Sequence, residues 1–253
     1  MSRGSAGSAL AAYVLHRYDW SESSLIVDLF TRELGRAVVA AKGAKRPTSQ
    51  LRAVLRPFQR LHVTLGRTTP GAEVHNLRGA EWAGGQPVAG GEALFSGFYL
   101  NELLMKLLAR EDPHPALWDA YGATLAQLGG ANEAAALRAF ELRLLRETGL
   151  LPDLAMVTAT QAPLQLDTGY ALRPEVGVAL AAAADPAAAS GADLLELQAA
   201  LDADDLPALQ RACAGPSAAL RRQLRELLAY HLGSAPLRTR QVLLELQPLL
   251  QQP

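Results

Sequence analysis

Up to about residue 82, apolar and polar positions alternate in short runs; from Glu92 onward apolar residues recur at helical spacing. The first pattern predicts strands and the second helices. In residues 11–17, Tyr13 and Leu15 alternate with Ala12 and Val14, whereas residues 25–31 are apolar on both faces. Gly35 opens a third strand, 36–42, with Ala37, Val39 and Ala41 on one face and Arg36 and Lys42 on the other. Residues 43–54 hold Lys45, Arg46, Pro47, Thr48 and Ser49 and predict a loop. The fourth strand alternates most cleanly, Leu61, Val63 and Leu65 against Arg60, His62 and Thr64, and residues 73–78 form a weaker fifth. Five short strands joined mostly by short connections predict a small antiparallel barrel, closed or partly open.

Glycine and proline gather in residues 84–91 (GGQPVAGG), which marks the expected linker. A helix over 92–110 is apolar nearly all round and is expected at the centre of a bundle. Further helices are expected over 115–128, over 132–148 with Asn132 as N-cap, and over 191–202, 205–213, 217–232 with Ser217 as cap, and 239–250. Residues 153–190 are mixed. A hairpin is expected around 167–169, and the Ala-rich run after it is unassigned. The domains are therefore expected as a disordered tail at 1–8, a β-domain at 9–83, a linker at 84–91 and a helical domain at 92–253.

Charge divides along the same line. Residues 1–82 carry 12 Lys/Arg against 6 Asp/Glu, and residues 83–253 carry 12 against 19, so the overall −1 hides a basic segment and an acidic one. Nine cations (Arg32, Arg36, Lys42, Lys45, Arg46, Arg52, Arg56, Arg60, Arg67) face a single acid, Glu33, within residues 32–67. A solvated face is the ordinary meaning of a charge run, but this imbalance favours a polyanion. Small barrels bind single strands by running a basic groove along the backbone and stacking bases on aromatic rings. Tyr13, Tyr18, Trp20, Phe30 and Phe58 are available; each taken singly belongs more naturally in a core, and Trp20, in a polar turn, has the best prospect of exposure.

Nothing in the sequence advertises catalysis. GxxxxGK[ST], GxGxxG, GxSxG and HExxH are all missing, the five histidines are scattered, and Asp204–Asp205 suits a helix start better than a metal. Cys213, the only cysteine, cannot make an internal disulfide or anchor a structural zinc, so no cofactor is expected and a reducing, cytoplasmic setting is. In the helical half, Arg138, Leu142 and Arg143 flank an apolar stripe of Leu137, Phe140 and Leu144. Such a groove suits a peptide with a hydrophobic anchor and a terminal carboxylate. The same residues read at least as well as a surface helix stitched by Arg138 with Glu141 and Arg143 with Glu147.

The ordered blocks Trp20-Ser-Glu-Ser-Ser-Leu, Leu29-Phe-Thr31, Ala41-Lys-Gly-Ala44, Leu55-Arg-Pro-Phe58, Phe95-Ser-Gly-Phe-Tyr-Leu-Asn-Glu-Leu and Phe140-Glu-Leu-Arg-Leu-Leu145 resemble the bacterial RecO family of recombination mediators. Residues 235–240 add a fainter echo. The resemblance implies an α+β chain, a five-stranded OB-fold barrel followed by an all-helical domain. It implies binding of single- and double-stranded DNA, annealing of complementary strands, and, with the partner RecR, loading of recombinase onto strands coated by single-strand-binding protein, at the nucleoid. It puts Lys42, Lys45, Arg46, Arg52 and Arg56 on the DNA side, to which the charge pattern adds Arg36 and Arg60. Arg138 becomes the candidate for the carboxylate of the acidic tail of single-strand-binding protein, with Leu142 and Arg143 beside it. Many members carry a four-cysteine zinc module after the helical block; residues 153–178 here contain no cysteine, which places the chain with the zinc-free branch. A protein adaptor whose basic barrel binds an acidic protein is the alternative.

Overall fold

The computed structural model describes residues 9–66, 71, 73–85, 88, 90–183, 185–186, 188–233, 237–239, 241–242 and 245. The expected tail 1–8, most of the expected final helix 239–250, and Arg67 lie outside them. The chain forms two compact units, Met1–Ala126 and Gln127–Pro253.

The first unit is built on a closed barrel of β1 (Leu10–Asp19), β2 (Leu25–Thr31), β3 (Gly35–Ala41), β4 (Arg60–Leu65) and β5 (His75–Trp82), in the order β1-β2-β3-β5-β4. β1 with β2, β2 with β3 and β4 with β5 pair antiparallel, as expected from their short connections, and β1 also pairs antiparallel with β4. Closure adds a parallel contact between β3 and β5, Val39 opposite His75, which local spacing does not reveal because it joins strands far apart in the chain. Ala12, Val14, Val27, Leu29, Val39, Leu61 and Val63 fill the interior. The expected loop 43–54 contains a one-turn helix, α1 (Leu51–Val54). Leu51 and Val54 pack on the barrel core next to buried Leu55, which leaves Arg52, Ala53 and Arg56 facing out.

Two helices complete this unit, α2 (Glu92–Leu107) and α3 (Pro115–Leu125). They explain why β2 is apolar on both faces: one face lines the barrel, the other meets the helices. Tyr13 of β1 packs on Trp118 and Tyr121 at ring centroid distances of 4.9 and 5.0 Å, and Phe30 lies 6.2 Å from Tyr121. The polar atoms in this layer are satisfied. Trp118 donates its indole N–H to the Phe30 carbonyl (3.1 Å), Asn101 donates to the Leu15 carbonyl (2.7 Å), and the Tyr121 hydroxyl donates to Asn101. α2 follows the barrel within the same compact unit, which runs on through α3 to Ala126.

Gly35 sits where this packing is tightest. Its φ is +70°, and a Cβ there would lie 1.8 Å from the Asp112 carbonyl oxygen. Gly35→Ala is expected to destabilise the unit by roughly 2–3 kcal/mol, from left-handed strain together with a clash against backbone that cannot step aside. Urea unfolding measures this; an unchanged midpoint would refute the close approach.

The second unit contains α4 (Glu133–Glu147), α5 (Gly191–Asp202), α6 (Leu206–Ala214) and α7 (Ser217–Leu232). It is not all-helical. A small sheet of β6 (Gly169–Arg173), β7 (Gly177–Leu180) and β8 (Ala189–Ser190) runs in the order β7-β6-β8. The hairpin expected around 167–169 forms with its turn at 174–176 instead, where Glu175 takes a φ of 63° and Gly177, the first residue of β7, one of 76°. Side chains anchor this region: Thr158 accepts from Val178 N–H, Gln198 from Leu154 N–H and Gln223 from Leu172 N–H, each at 2.9 Å. Two cap expectations change. Asn132 makes no side-chain cap bond, and Ser217 is the first residue of α7 behind Pro216. Ser190 and Asp193 form a capping box on α5, and Asp205 accepts from Ala208 N–H to cap α6, so of the Asp204–Asp205 pair it is Asp205 that serves the helix start.

Candidate nucleic-acid interface

Lys45 organises the basic end of the barrel. Its backbone N–H donates to the Ser23 carbonyl (2.9 Å), and its ammonium donates to the Ser21 carbonyl (3.0 Å) and pairs with Asp19 (3.3 Å). The loop after β3 is thereby clipped onto the turn between β1 and β2. Lys45 is consequently half-buried and shares its charge with Asp19, a positioning residue more than an open phosphate ligand.

Among the described cations of this run, four stand open to solvent without a carboxylate or an aromatic ring against them. Lys42, Arg46, Arg52 and Arg56 are exposed, and among the described residues no carboxylate pairs with them. Lys42 ends the outward row of β3, Arg46 lies in the clipped loop, and α1 turns Arg52 outward while its apolar residues plug the barrel. Arg56 follows buried Leu55, whose carbonyl accepts from Arg17 of β1 at 3.3 Å. Arg17 is exposed and brings a further cation beside Arg56, although it lies outside the 32–67 run and charge density in sequence could not find it. Arg78 on β5 is exposed too, its Nε against Gly66 where the β4–β5 connection begins.

Other cations have structural work. The expectation of an exposed face fails for Arg36. Alternation does place it on the outer side of β3, but that side is covered. It pairs with buried Asp28 at 2.9 Å and donates to the carbonyls of Met105 and Leu108. Arg32 pairs with Asp119 through two bonds of 3.3 and 2.9 Å. The Arg60 guanidinium is exposed but lies 5.2 Å from the centroid of the Trp118 ring.

The aromatic candidates separate in the same way. Tyr13 and Phe30 are core, and Phe58 packs on Phe98 with ring centroids 5.0 Å apart. Tyr18 is exposed and stacks edge-on against His16 at 4.4 Å. Trp20 is the most exposed large apolar side chain among the described residues, at 72%.

The expected peptide groove does not exist in the form anticipated. Arg138 is 7% exposed, Arg143 6%, and Leu142 is fully buried. Arg138 bonds Glu141, itself 1% exposed, while Arg143 donates to Glu147 (3.2 Å) and pairs with Asp204. The pairs anticipated for a surface helix therefore form, but in the interior: α4 packs against α6 and α7, closing the flank that sequence left open. Cys213 is buried beside them. Burial chiefly, with Arg138 opposing and Glu141 reinforcing, pushes its thiol up to about 12, so it remains a neutral, small packing group. Two histidines sit against carboxylates, His75 with Glu111 at 2.7 Å and His114 with Asp112 at 3.4 Å. No described helix is long and apolar enough to cross a membrane.

Residues 8–85 match the family model described as Recombination protein O N terminal, and residues 90–241 the one described as Recombination protein O C terminal. Among curated relatives, the chain is 53% identical over 250 residues to the DNA repair protein RecO of Variovorax paradoxus (strain S110), covering 94% of this chain and 96% of that protein. It is 53% identical over 243 residues to the DNA repair protein RecO of Verminephrobacter eiseniae (strain EF01-2), with the same coverage. Similarity to the DNA repair protein RecO of Delftia acidovorans (strain DSM 14801 / SPH-1) is 49% over 245 residues, again covering 94% of this chain and 96% of that protein. With a closed five-stranded barrel carrying the basic surface, helices after it, and both models matched in order, the chain belongs to the RecO family of DNA repair proteins.

Proposed function

We propose that this chain is a non-catalytic recombination mediator. It binds single- and double-stranded DNA through the barrel, anneals complementary strands and, with RecR, loads recombinase onto strands coated by single-strand-binding protein. The observation that carries the reading is the state of the cations. Arg32, Arg36 and Lys45 have carboxylates of their own, whereas Lys42, Arg46, Arg52 and Arg56 stand exposed without one among the described residues. Charges left open on one stretch of a small barrel suit an external polyanion, and the family supplies its identity. Arg17 and Arg60 join this surface; Arg36 does not.

Annealing needs little more than such a surface. Cations that neutralise phosphates reduce repulsion between two strands, and contacts confined to the backbone leave base edges free to pair. RecR and the acidic tail of single-strand-binding protein are the proposed protein partners, and the cytoplasmic nucleoid the place of action. Arg138, Leu142 and Arg143 are not assigned to the tail, because they are interior.

A strand-annealing assay tests the whole. Complementary labelled oligonucleotides, naked or coated with single-strand-binding protein, are expected to anneal faster with the protein present, with the rate falling as salt rises. Absence of acceleration on both, together with salt-independent DNA binding, would overturn the proposal and favour an acidic protein as the partner of the barrel.

A further inference from the structure

We infer that Trp20 is a base-stacking platform through which the barrel favours unpaired strands; this rests on the DNA-binding reading above and deepens it. An indole is among the largest apolar groups a chain can bury, and Trp118, the tryptophan on α3, is only 4% exposed. Trp20 is 72% exposed, and Ser21, Glu22 and Ser23 after it provide no apolar cover.

The turn that carries it is held from both sides. Trp20 N–H donates to the Ser24 carbonyl (3.2 Å), and Ser24 N–H returns a bond to the Ser21 hydroxyl (3.2 Å). From outside, Lys45 binds the Ser21 and Ser23 carbonyls and the Asp19 carboxylate. A fixed turn presenting a rigid ring binds with little further loss of freedom. Lys45 also brings the loop containing Arg46 against this turn, so the turn that carries the ring adjoins the loop that carries an open cation.

Charge and ring then perform separable tasks. The open cations attract the phosphates of single strands and duplexes alike. An exposed indole stacks on a base only when that base is unpaired and free to leave its own stack, because duplex bases already have theirs covered.

The experiment measures fluorescence anisotropy of an oligodeoxythymidylate and of a duplex of equal length, with the full chain and with Trp20→Ala and Trp20→Phe. Trp20→Ala is expected to weaken single-strand binding roughly 10–100-fold with duplex affinity and the salt slope unchanged, and Trp20→Phe to recover some of the loss. Thermal unfolding should be the same for all three chains, since the side chain is exposed. If the native chain binds both DNAs but Trp20→Ala leaves the ratio of affinities unchanged, the platform is refuted and the DNA-binding reading stands. If the native chain binds neither, that reading falls and takes the platform with it.

Discussion

Replacing Arg138 with alanine should destabilise the second unit by about 3–5 kcal/mol, the range for removing one partner of a buried ion pair. Glu141 is 1% exposed and Arg138 7%, so removing the guanidinium takes a charge-assisted bond from a carboxylate that water does not reach. The loss should appear as a lowered urea midpoint. Replacing the pair together, Arg138→Met with Glu141→Leu, should recover most of it, because matched apolar groups of similar volume need no partner. A single variant as stable as the native chain would show that Arg138 is accessible after all and would restore it as a candidate for a peptide carboxylate. Arg143 should behave less severely, because Asp204, one of its two acidic partners, is exposed.

Changing Lys42, Arg46, Arg52 and Arg56 together to alanine should lower DNA affinity by about two to three orders of magnitude at moderate salt, without sequence dependence. Each phosphate contact on a single strand contributes about 0.7 to the slope of log affinity against log salt, so the slope should flatten by up to about 3. Stability should hardly move, since these side chains are exposed and the charge removed is unpaired among the described residues. Arg36→Ala provides the contrast. It removes the partner of buried Asp28 and the Nη1 that bonds the carbonyls of Met105 and Leu108, so it should lower the unfolding midpoint while leaving the salt slope alone. A quadruple variant with native salt-titrated affinity would remove the barrel surface from the interface. An Arg36→Ala chain of native stability would return that residue to it.

The contrast between Arg36 and Lys42 shows how far sequence can be read. Alternation along β3 places both on the outer side, which is correct, since a strand's side chains must switch faces at every residue. What lies over that side is a matter of distant chain: the end of α2, nearly seventy residues on, covers Arg36, while Lys42, just past the end of β3, escapes. β2 carries a visible trace of this cover, being apolar on both faces where a half-solvated strand would alternate. The α4 arginines are legible in sequence only as a choice. Their i,i+3 and i,i+4 acids are plain, but whether these pairs face water or α6 and α7 is not, because helical spacing specifies a face and not its neighbour.

Five strands, the helices from Glu92 on, the concentration of cations before residue 68 and the lack of paired cysteines follow from sequence alone, because periodicity, punctuation and charge are local properties. Tertiary structure decided what non-local contact controls. It paired β3 with β5 to close the barrel, set the β6–β7 turn at 174–176, committed Arg36 and Arg138 to interior carboxylates, and kept Trp20 on a pinned turn in water. A charge becomes a binding group only where folding leaves it without a partner of its own, and the partner is chosen by residues that are neighbours in space.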